Sequence, residues 1–117
     1  MALIKRMMAR SGVEISYWKI TDWRTNQDAR AMDIVLTPYI SSQSRKDGFE
    51  PLRDEVRRVR ATDWLDKDYN LLRSDYTDYF SPAALEKAAA EGKTIYNVMY
   101  EYVKEKAPEF SLAEDSL

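Results

Sequence analysis

The sequence contains neither cysteine nor histidine. The first absence excludes disulfides and thiolate zinc sites, and the second removes the commonest general base and the commonest metal ligand. Only three glycines are present, and they form no glycine-rich phosphate loop. No window approaches the roughly 18 apolar residues of a membrane span, and the basic first ten residues lack the apolar core of a signal peptide. We therefore expect a soluble chain made in the cytoplasm, with no catalytic residues, no metal or cofactor and no small-molecule substrate.

Most of the aromatic side chains that are present carry a polar group. The 117 residues suffice for one domain with a single core, and they include eight Tyr and three Trp against three Phe. Such rings suit half-buried positions, either at the rim of the domain's own core or in a protein interface. The composition leaves both interpretations open.

Charge is divided unevenly along the chain. Residues 1–60 hold twelve Lys or Arg against eight Asp or Glu, a balance of +4. Residues 61–117 hold six against twelve, a balance of −6, which accounts for the net charge of −2. One hypothesis is head-to-tail stacking of copies. The other is chance combined with helix-favouring glutamates in the second half.

The clearest local pattern is an aromatic β-hairpin. Residues 13–23 and 31–39 alternate as strands do, and the polar residues 24–30 connect them. A third strand is favoured over 52–64, where charged and apolar residues alternate. Residues 1–12 are expected to be an N-terminal leader or arm, with apolar residues at helical spacing.

Two helices are expected near the end of the chain. Ser81 precedes Pro82 in the pattern of a helix start, and the alanine-rich run ends at Gly92. A second helix is expected from about residue 94 to Lys106, with an apolar stripe on one face. The prediction is an α+β fold in which a small antiparallel sheet packs with two C-terminal helices.

This predicted fold occupies one part of the chain. Residues 13–113 are expected to form a single domain and residues 114–117 a flexible tail. The segment 63–79, dense in Asp and Tyr, is expected to be irregular.

The first residues of one acidic segment match the ligand spacing of a calcium-binding loop. Residues 66–70 place oxygen-bearing side chains at alternate positions, but the sixth position is Leu71 instead of glycine and the twelfth is Thr77 instead of glutamate. Solvated turn carboxylates are the better interpretation. Asp75 and Asp78, beside tyrosines, suggest an acid pair only by proximity, which is weak support for catalysis.

A basic cluster lies within the predicted third strand. Its members are Arg53, Arg57, Arg58 and Arg60. Because Asp54 and Glu55 interrupt it, a solvated face is favoured first, a salt-bridging subunit contact second, and binding of DNA or RNA third.

The three tryptophans are the side chains expected to matter most energetically. Trp18 is expected in the core, which is the usual place of a buried Trp. Trp23, near the predicted hairpin tip, would be an interface anchor if the hairpin faces a partner.

Several short motifs resemble a small protein encoded among the tail genes of tailed bacteriophages. They are Ser16-Tyr-Trp-Lys-Ile20, Val35-Leu-Thr-Pro-Tyr39, Arg45-Lys-Asp-Gly-Phe-Glu-Pro-Leu52, the Tyr79-Phe-Ser-Pro82 segment and Tyr100-Glu-Tyr-Val-Lys-Glu-Lys-Ala-Pro-Glu-Phe110. The resemblance spans about residues 13–113. The leader 1–12 and the alanine-rich segment 83–91 lie outside the pattern.

The resemblance implies a structural protein of a phage tail, baseplate or tail-fibre attachment. Such a protein is part of the virion, is present in several symmetric copies, and contacts itself and other tail or fibre proteins. The alternative is a non-virion assembly chaperone or small cytoplasmic regulator that binds one protein partner. The residues predicted to lie in protein interfaces are Trp18, Trp23, Tyr39, Arg45, Arg57 and Arg58.

Overall fold

A computed structural model describes residues 2–48 and 50–116. Phe49 of the resembling motif, Met1 of the expected leader and Leu117 of the expected tail lie outside the described residues. The strands are β1 Ala2–Met8, β2 Glu14–Asn26, β3 Ala31–Tyr39, β4 Arg57–Leu65, β5 Leu71–Ser74 and β6 Glu114–Ser116. The helices are α1 Ser42–Lys46, α2 Asp75–Phe80, α3 Pro82–Ala90 and α4 Ile95–Lys106, with 3₁₀ turns at Arg53–Glu55 and Pro108–Phe110.

The strands form one sheet in the order β5-β4-β3-β2-β1-β6, and every neighbouring pair is antiparallel. The predicted α+β class is confirmed. The predicted sheet was too small, because the hairpin and third strand are joined by three further strands. None of the helices in the described parts of the chain combines the length and apolar character that a membrane crossing requires.

The aromatic hairpin is confirmed as β2 and β3, and it contains one β-bulge. Ile20 pairs with Leu36 and Asp22 pairs with Val35, so Thr21 has no partner of its own in the ladder. Since strand side chains alternate between faces, this extra residue returns Trp23 to the core side of the sheet. Trp23 consequently packs against the core cluster opposite Ile34.

Three segments differ from the expectation because each gains a strand partner. Ala2–Met8, expected as a leader with a helical turn or an arm, pairs with β2. Glu114–Ser116, from the expected flexible tail, pairs with the first residues of β1. The expectation of an irregular segment at 63–79 is wrong, because Leu71–Ser74 pairs with the end of β4 and α2 follows directly.

Both predicted C-terminal helices are confirmed. The Ser81 hydroxyl accepts the N–H of Ala84 at the start of α3, and Thr94 forms a capping box with Asn97 at the start of α4. The main buried face belongs to α4, with Val98, Met99, Tyr100, Tyr102 and Val103. Each large apolar side chain buried in this way stabilises the fold by about 1.5–3 kcal/mol, so α4 closes the core over the sheet.

Candidate protein-interaction site

The end of the β4–β5 hairpin presents a cluster of exposed apolar side chains. Of the ten large apolar side chains that are exposed in the described residues, five lie within residues 64–72. These five, named here the apolar tip, are Trp64, Leu65, Tyr69, Leu71 and Leu72. Trp64 exposes 59% of its surface, Tyr69 83% and Leu72 66%. Single exposed apolar residues are ordinary, whereas a cluster of them indicates a contact surface.

The turn that carries the tip is fixed by the Asp66 carboxylate. Its Oδ1 atom accepts the N–H groups of Asp68 at 2.8 Å and Asn70 at 2.9 Å, and Oδ2 accepts the Asn70 side-chain amide at 3.3 Å. The hydrogen bond from the Asn70 N–H is the main reason why the pKa of Asp66 lies below its usual value. Both carboxylate oxygens serve the turn, an Asx-type arrangement that holds the hairpin end in one conformation.

Tyr69 adopts an unfavourable backbone conformation at the most exposed point of the tip. Its φ angle is +63°, a region that costs a residue with a Cβ about 1–2 kcal/mol and that glycine occupies freely. Within the described residues, its side chain makes no hydrogen bond and no ring contact that would offset this cost. Arg30 and Leu112 also have positive φ, so this conformation alone does not single out Tyr69. Its place among the other exposed apolar side chains of the tip does.

A groove with a basic lining runs beside this hairpin, along β4. It has a volume of about 320 Å³. Its cationic lining residues are Arg58, Arg60, Arg73 and Lys106, and Trp64 of the apolar tip lies at its hairpin end. We call this feature the β4 groove.

The cations of the β4 groove differ in how far they are neutralised. Arg73 is bound to Asp75 at 2.6 Å, and Arg60 lies 3.7 Å from Asp33. Arg58 and Lys106 form no ion pair within the described residues. The groove therefore retains positive charge that the chain does not satisfy itself.

The backbone of β4 is open along part of the same groove. Residues 57–62 pair with β3 on one side, but β5 begins to pair only at Asp63. Side chains from both faces of β4, including Val59 and Arg60, line the groove together with the end of α4. The groove therefore lies at the unpaired edge of β4 rather than over either face of the sheet.

The acidic residues near this groove serve the structure. The buried Asp75 carboxylate accepts Arg73 at 2.6 Å and the Tyr102 hydroxyl at 3.0 Å. Burial, followed by this hydrogen bond to Asp75, raises the pKa of Tyr102. Asp78 instead accepts the Ser74 hydroxyl at 2.8 Å and is exposed. The two carboxylates bind different partners, which is not the converging arrangement of an acid–base pair.

Two of the predicted interface residues are structural. Trp18 is fully buried, its indole N–H donates to the Lys5 carbonyl at 3.0 Å, and its ring meets Phe110 edge-on at 5.1 Å. Arg57 lies over the Trp18 ring at 5.7 Å and pairs with Glu109 at 2.9 Å. Trp18 is therefore a core residue, and Arg57 ties β4 to the 3₁₀ turn beyond α4.

Trp23 and Arg58 lie together at a second groove. This groove has a volume of about 350 Å³ and is also lined by Asp22, Arg24 and Asp33. Trp23 is half-buried and lies within β2 rather than at its tip, because the strand continues to Asn26. Arg58 lines this groove and the β4 groove alike, so it is the predicted residue best placed to contact another molecule.

Tyr39 and Arg45 form a separate small group. Tyr39 meets Tyr17, its partner across the hairpin, edge-on at 5.9 Å, and the Arg45 guanidinium lies 5.8 Å from the Tyr39 ring. Arg45 follows in α1, whose start is capped by Ser41. The six predicted residues are thus divided among three places and do not form one surface.

The apolar tip was not predicted from the sequence. Its signal was two adjacent apolar pairs, Trp64-Leu65 and Leu71-Leu72, on either side of a polar turn that begins with Asp66. Such spacing is typical of a hairpin, but the acidic residues around it suggested irregular structure.

Comparisons with known proteins identify no relative. No protein-family model, no curated protein and no solved structure matches this chain. The interpretation of the surface therefore depends on its geometry and chemistry.

Proposed function

We propose that this chain is a non-enzymatic protein-interaction module that contacts its partner through the apolar tip of the β4–β5 hairpin. The observation that carries the proposal is the apolar tip itself, where five exposed apolar side chains lie together on one ordered turn. Clustered exposed apolar side chains mark protein contact surfaces. Burial of the tip by a partner would stabilise the complex by removing apolar surface from water.

The role proposed for the module is that of a structural component of a phage tail, baseplate or tail-fibre attachment, present in the virion as several symmetric copies. The resemblance over residues 13–113 supports this role. A domain with an outward apolar hairpin is suited to it, because clustered exposed apolar side chains mark protein–protein contact surfaces. The partners would be other tail or fibre proteins and further copies of this chain.

The test is incorporation into particles. Virions from the encoding phage or prophage are purified, and the copy number of this chain is measured by quantitative mass spectrometry for the wild type and for Leu72→Ser. Met8→Ser is the matched control, because Met8 is 65% exposed, close to the 66% of Leu72, and lies in β1 outside the hairpin. Both substitutions remove an exposed apolar side chain and should change stability by less than about 0.5 kcal/mol.

We expect the wild type and Met8→Ser to be present at the same fixed copy number and Leu72→Ser to be strongly depleted. Absence of the wild type from particles, with abundant protein in the lysate, would reject the virion role and favour an assembly chaperone or regulator. Equal incorporation of all three would reject the tip as the contact.

Tyr69→Gly separates folding from contact more sharply. Glycine removes the backbone cost at φ +63°, which stabilises the folded state, but it increases the conformational entropy of the unfolded chain. The free energy of unfolding should therefore stay equal or rise by up to about 1 kcal/mol. Incorporation should nevertheless fall, because the exposed ring is lost. Full incorporation of this variant would contradict the contact assigned to Tyr69, and a loss of stability would contradict the backbone cost.

A further inference from the structure

We infer that the β4 groove binds an extended acidic segment of the partner protein, which adds to the open edge of β4 as a further strand. This inference rests on the proposed function, since it names the kind of segment that accompanies contact at the apolar tip. The two features are continuous, because Trp64 belongs to both.

The open edge supplies the backbone part of the recognition. Residues 57–62 have no neighbouring strand on the groove side within the described chain, and α2 packs against β4 where Thr77 donates its N–H to Asp63 at 3.0 Å. Every second residue of a strand directs its N–H and C=O groups to a given side, so about three of these six residues would offer donors and acceptors to an added strand, over roughly 13 Å of β4. An added strand would satisfy them, as in other proteins that bind peptides by strand addition.

The charge of the groove selects the sequence of the added strand. Arg58 and Lys106 form no ion pair within the described residues, and Arg60 has only the 3.7 Å contact with Asp33, with 61% of its side chain exposed. Arg58 and Arg60 lie two residues apart, so they project on the same side of the strand. A segment with acidic side chains at alternate positions would place one carboxylate beside each.

The same groove is poorly suited to nucleic acid. Asp75 and Glu109 line it beside the cations, and a phosphate backbone would be repelled by them. Trp64 is its one exposed indole, whereas single-stranded nucleic acids are bound on successive stacking aromatics. A peptide can direct its charge to Arg58 and Arg60 alone.

Protection against aggregation is the competing explanation for charged residues on an open edge. Proteins often place charges on edge strands to prevent pairing with other chains. On that explanation the edge should bind no strand of either charge. A binding measurement therefore separates the two.

The probe is an acetylated and amidated peptide of about eight residues in which glutamate alternates with valine. Two control peptides replace glutamate by lysine or one central valine by proline, which cannot complete the ladder. Binding is followed through the backbone amide resonances of the full chain and the indole N–H resonance of Trp64. The protein variants are Arg58→Glu and, as a matched control outside the groove, the exposed Arg53→Glu.

We expect the acidic peptide to shift the amides of residues 57–62, to bind more weakly as salt is added, and to lose at least about tenfold in affinity with Arg58→Glu but not with Arg53→Glu. The lysine and proline peptides should bind at least about tenfold more weakly. Absence of binding by the acidic peptide, equal binding of the lysine peptide, or shifts located elsewhere would overturn the inference. Tighter binding of single-stranded DNA through Arg58 would overturn it in favour of nucleic acid.

The outcomes remain separable from those of the proposed function. If Leu72→Ser is depleted from virions while the acidic peptide leaves the β4 amides unmoved, the strand-addition inference fails and the tip contact stands. If the peptide binds β4 but Leu72→Ser is incorporated normally, the tip contact fails and the groove remains a peptide-binding site.

Discussion

Removal of the Tyr100 hydroxyl tests how the last helix is joined to the sheet. This hydroxyl accepts the backbone N–H of Ile20 at 2.9 Å, and the bond is buried between α4 and β2. Tyr100→Phe keeps the ring and deletes the acceptor, which leaves a buried N–H without this partner. An unsatisfied buried polar group costs about 1–3 kcal/mol, so the melting temperature should fall by about 4–12 °C for a domain of this size.

Tyr76 provides the same chemical change with the opposite expectation. It is also buried, but its hydroxyl has no hydrogen-bond partner within the described residues. Tyr76→Phe should therefore be neutral or stabilising by about 1 kcal/mol. Urea unfolding followed by circular dichroism gives both free energies of unfolding, and hydrogen exchange at the Ile20 amide should accelerate in Tyr100→Phe alone. Equal effects of the two substitutions would refute this reasoning.

Alkaline pH adds a second readout for the same pair of variants. Burial raises the pKa of Tyr100 to about 12, which outweighs the lowering by the Ile20 N–H. Because the folded-state pKa is raised, the neutral buried phenol contributes its full stabilisation below the pKa of the unfolded state, near 10. This contribution is lost as pH rises toward 12. Relative to Tyr100→Phe, the wild type should lose about 1 kcal/mol between pH 10 and 11, so the difference in stability between them should shrink. A difference independent of pH would contradict the buried phenol.

Two further predictions concern the core and the tip turn. Trp18→Ala should lower the free energy of unfolding by about 3–5 kcal/mol, while Trp64→Ala, at an exposed position, should change it by less than about 1 kcal/mol; urea unfolding would refute the assigned burial if the two costs were similar. The Asp66 carboxyl should titrate below its usual range in an NMR experiment, because its hydrogen bonds in the turn favour the ionised form. Stabilisation of the turn is then present above the unfolded pKa and lost as pH falls through the folded one, and a normal pKa would contradict the described turn.

Elements whose signals are local could be predicted from the sequence. Ser81 and Pro82 determine where α3 begins, and the apolar stripe of α4 specifies both its extent and its buried face. The alternation in β2 and β3 is equally local. Such signals come from neighbouring residues and need no distant partner. The predicted bounds of these elements are therefore close to those of the structure.

Elements that depend on a distant partner could not be predicted. Leu3 and Met7 suit a helical turn, but β2 offers them an unpaired edge, and β1 reaches it with a register shift between Ile4 and Met7. Glu114–Ser116 is too short to be a strand alone and exists because β1 lies beside it. Tertiary pairing determines such segments, and periodicity does not report it.

In the candidate site, the partners of single side chains could not be predicted from the sequence either. Arg57 and Arg58 are neighbours in one basic cluster, yet Arg57 is held by Glu109 and Trp18 whereas Arg58 faces two grooves. Sequence places both in the cluster but does not say which one finds an internal partner. The exposure of Leu72 is likewise a property of the folded hairpin.

The bulge at Thr21 bears on how related chains could be recognised. Thr21 has no partner in the ladder. In a chain that lacks this residue, β2 would be a regular strand, and each later side chain of β2 would stay on the face that it occupies here. Position 21 is therefore where a one-residue gap can enter an alignment without disturbing the core. A search that scores rigid two-residue alternation through β2 would penalise such a relative, whereas one that allows a length difference at Thr21 would retain it.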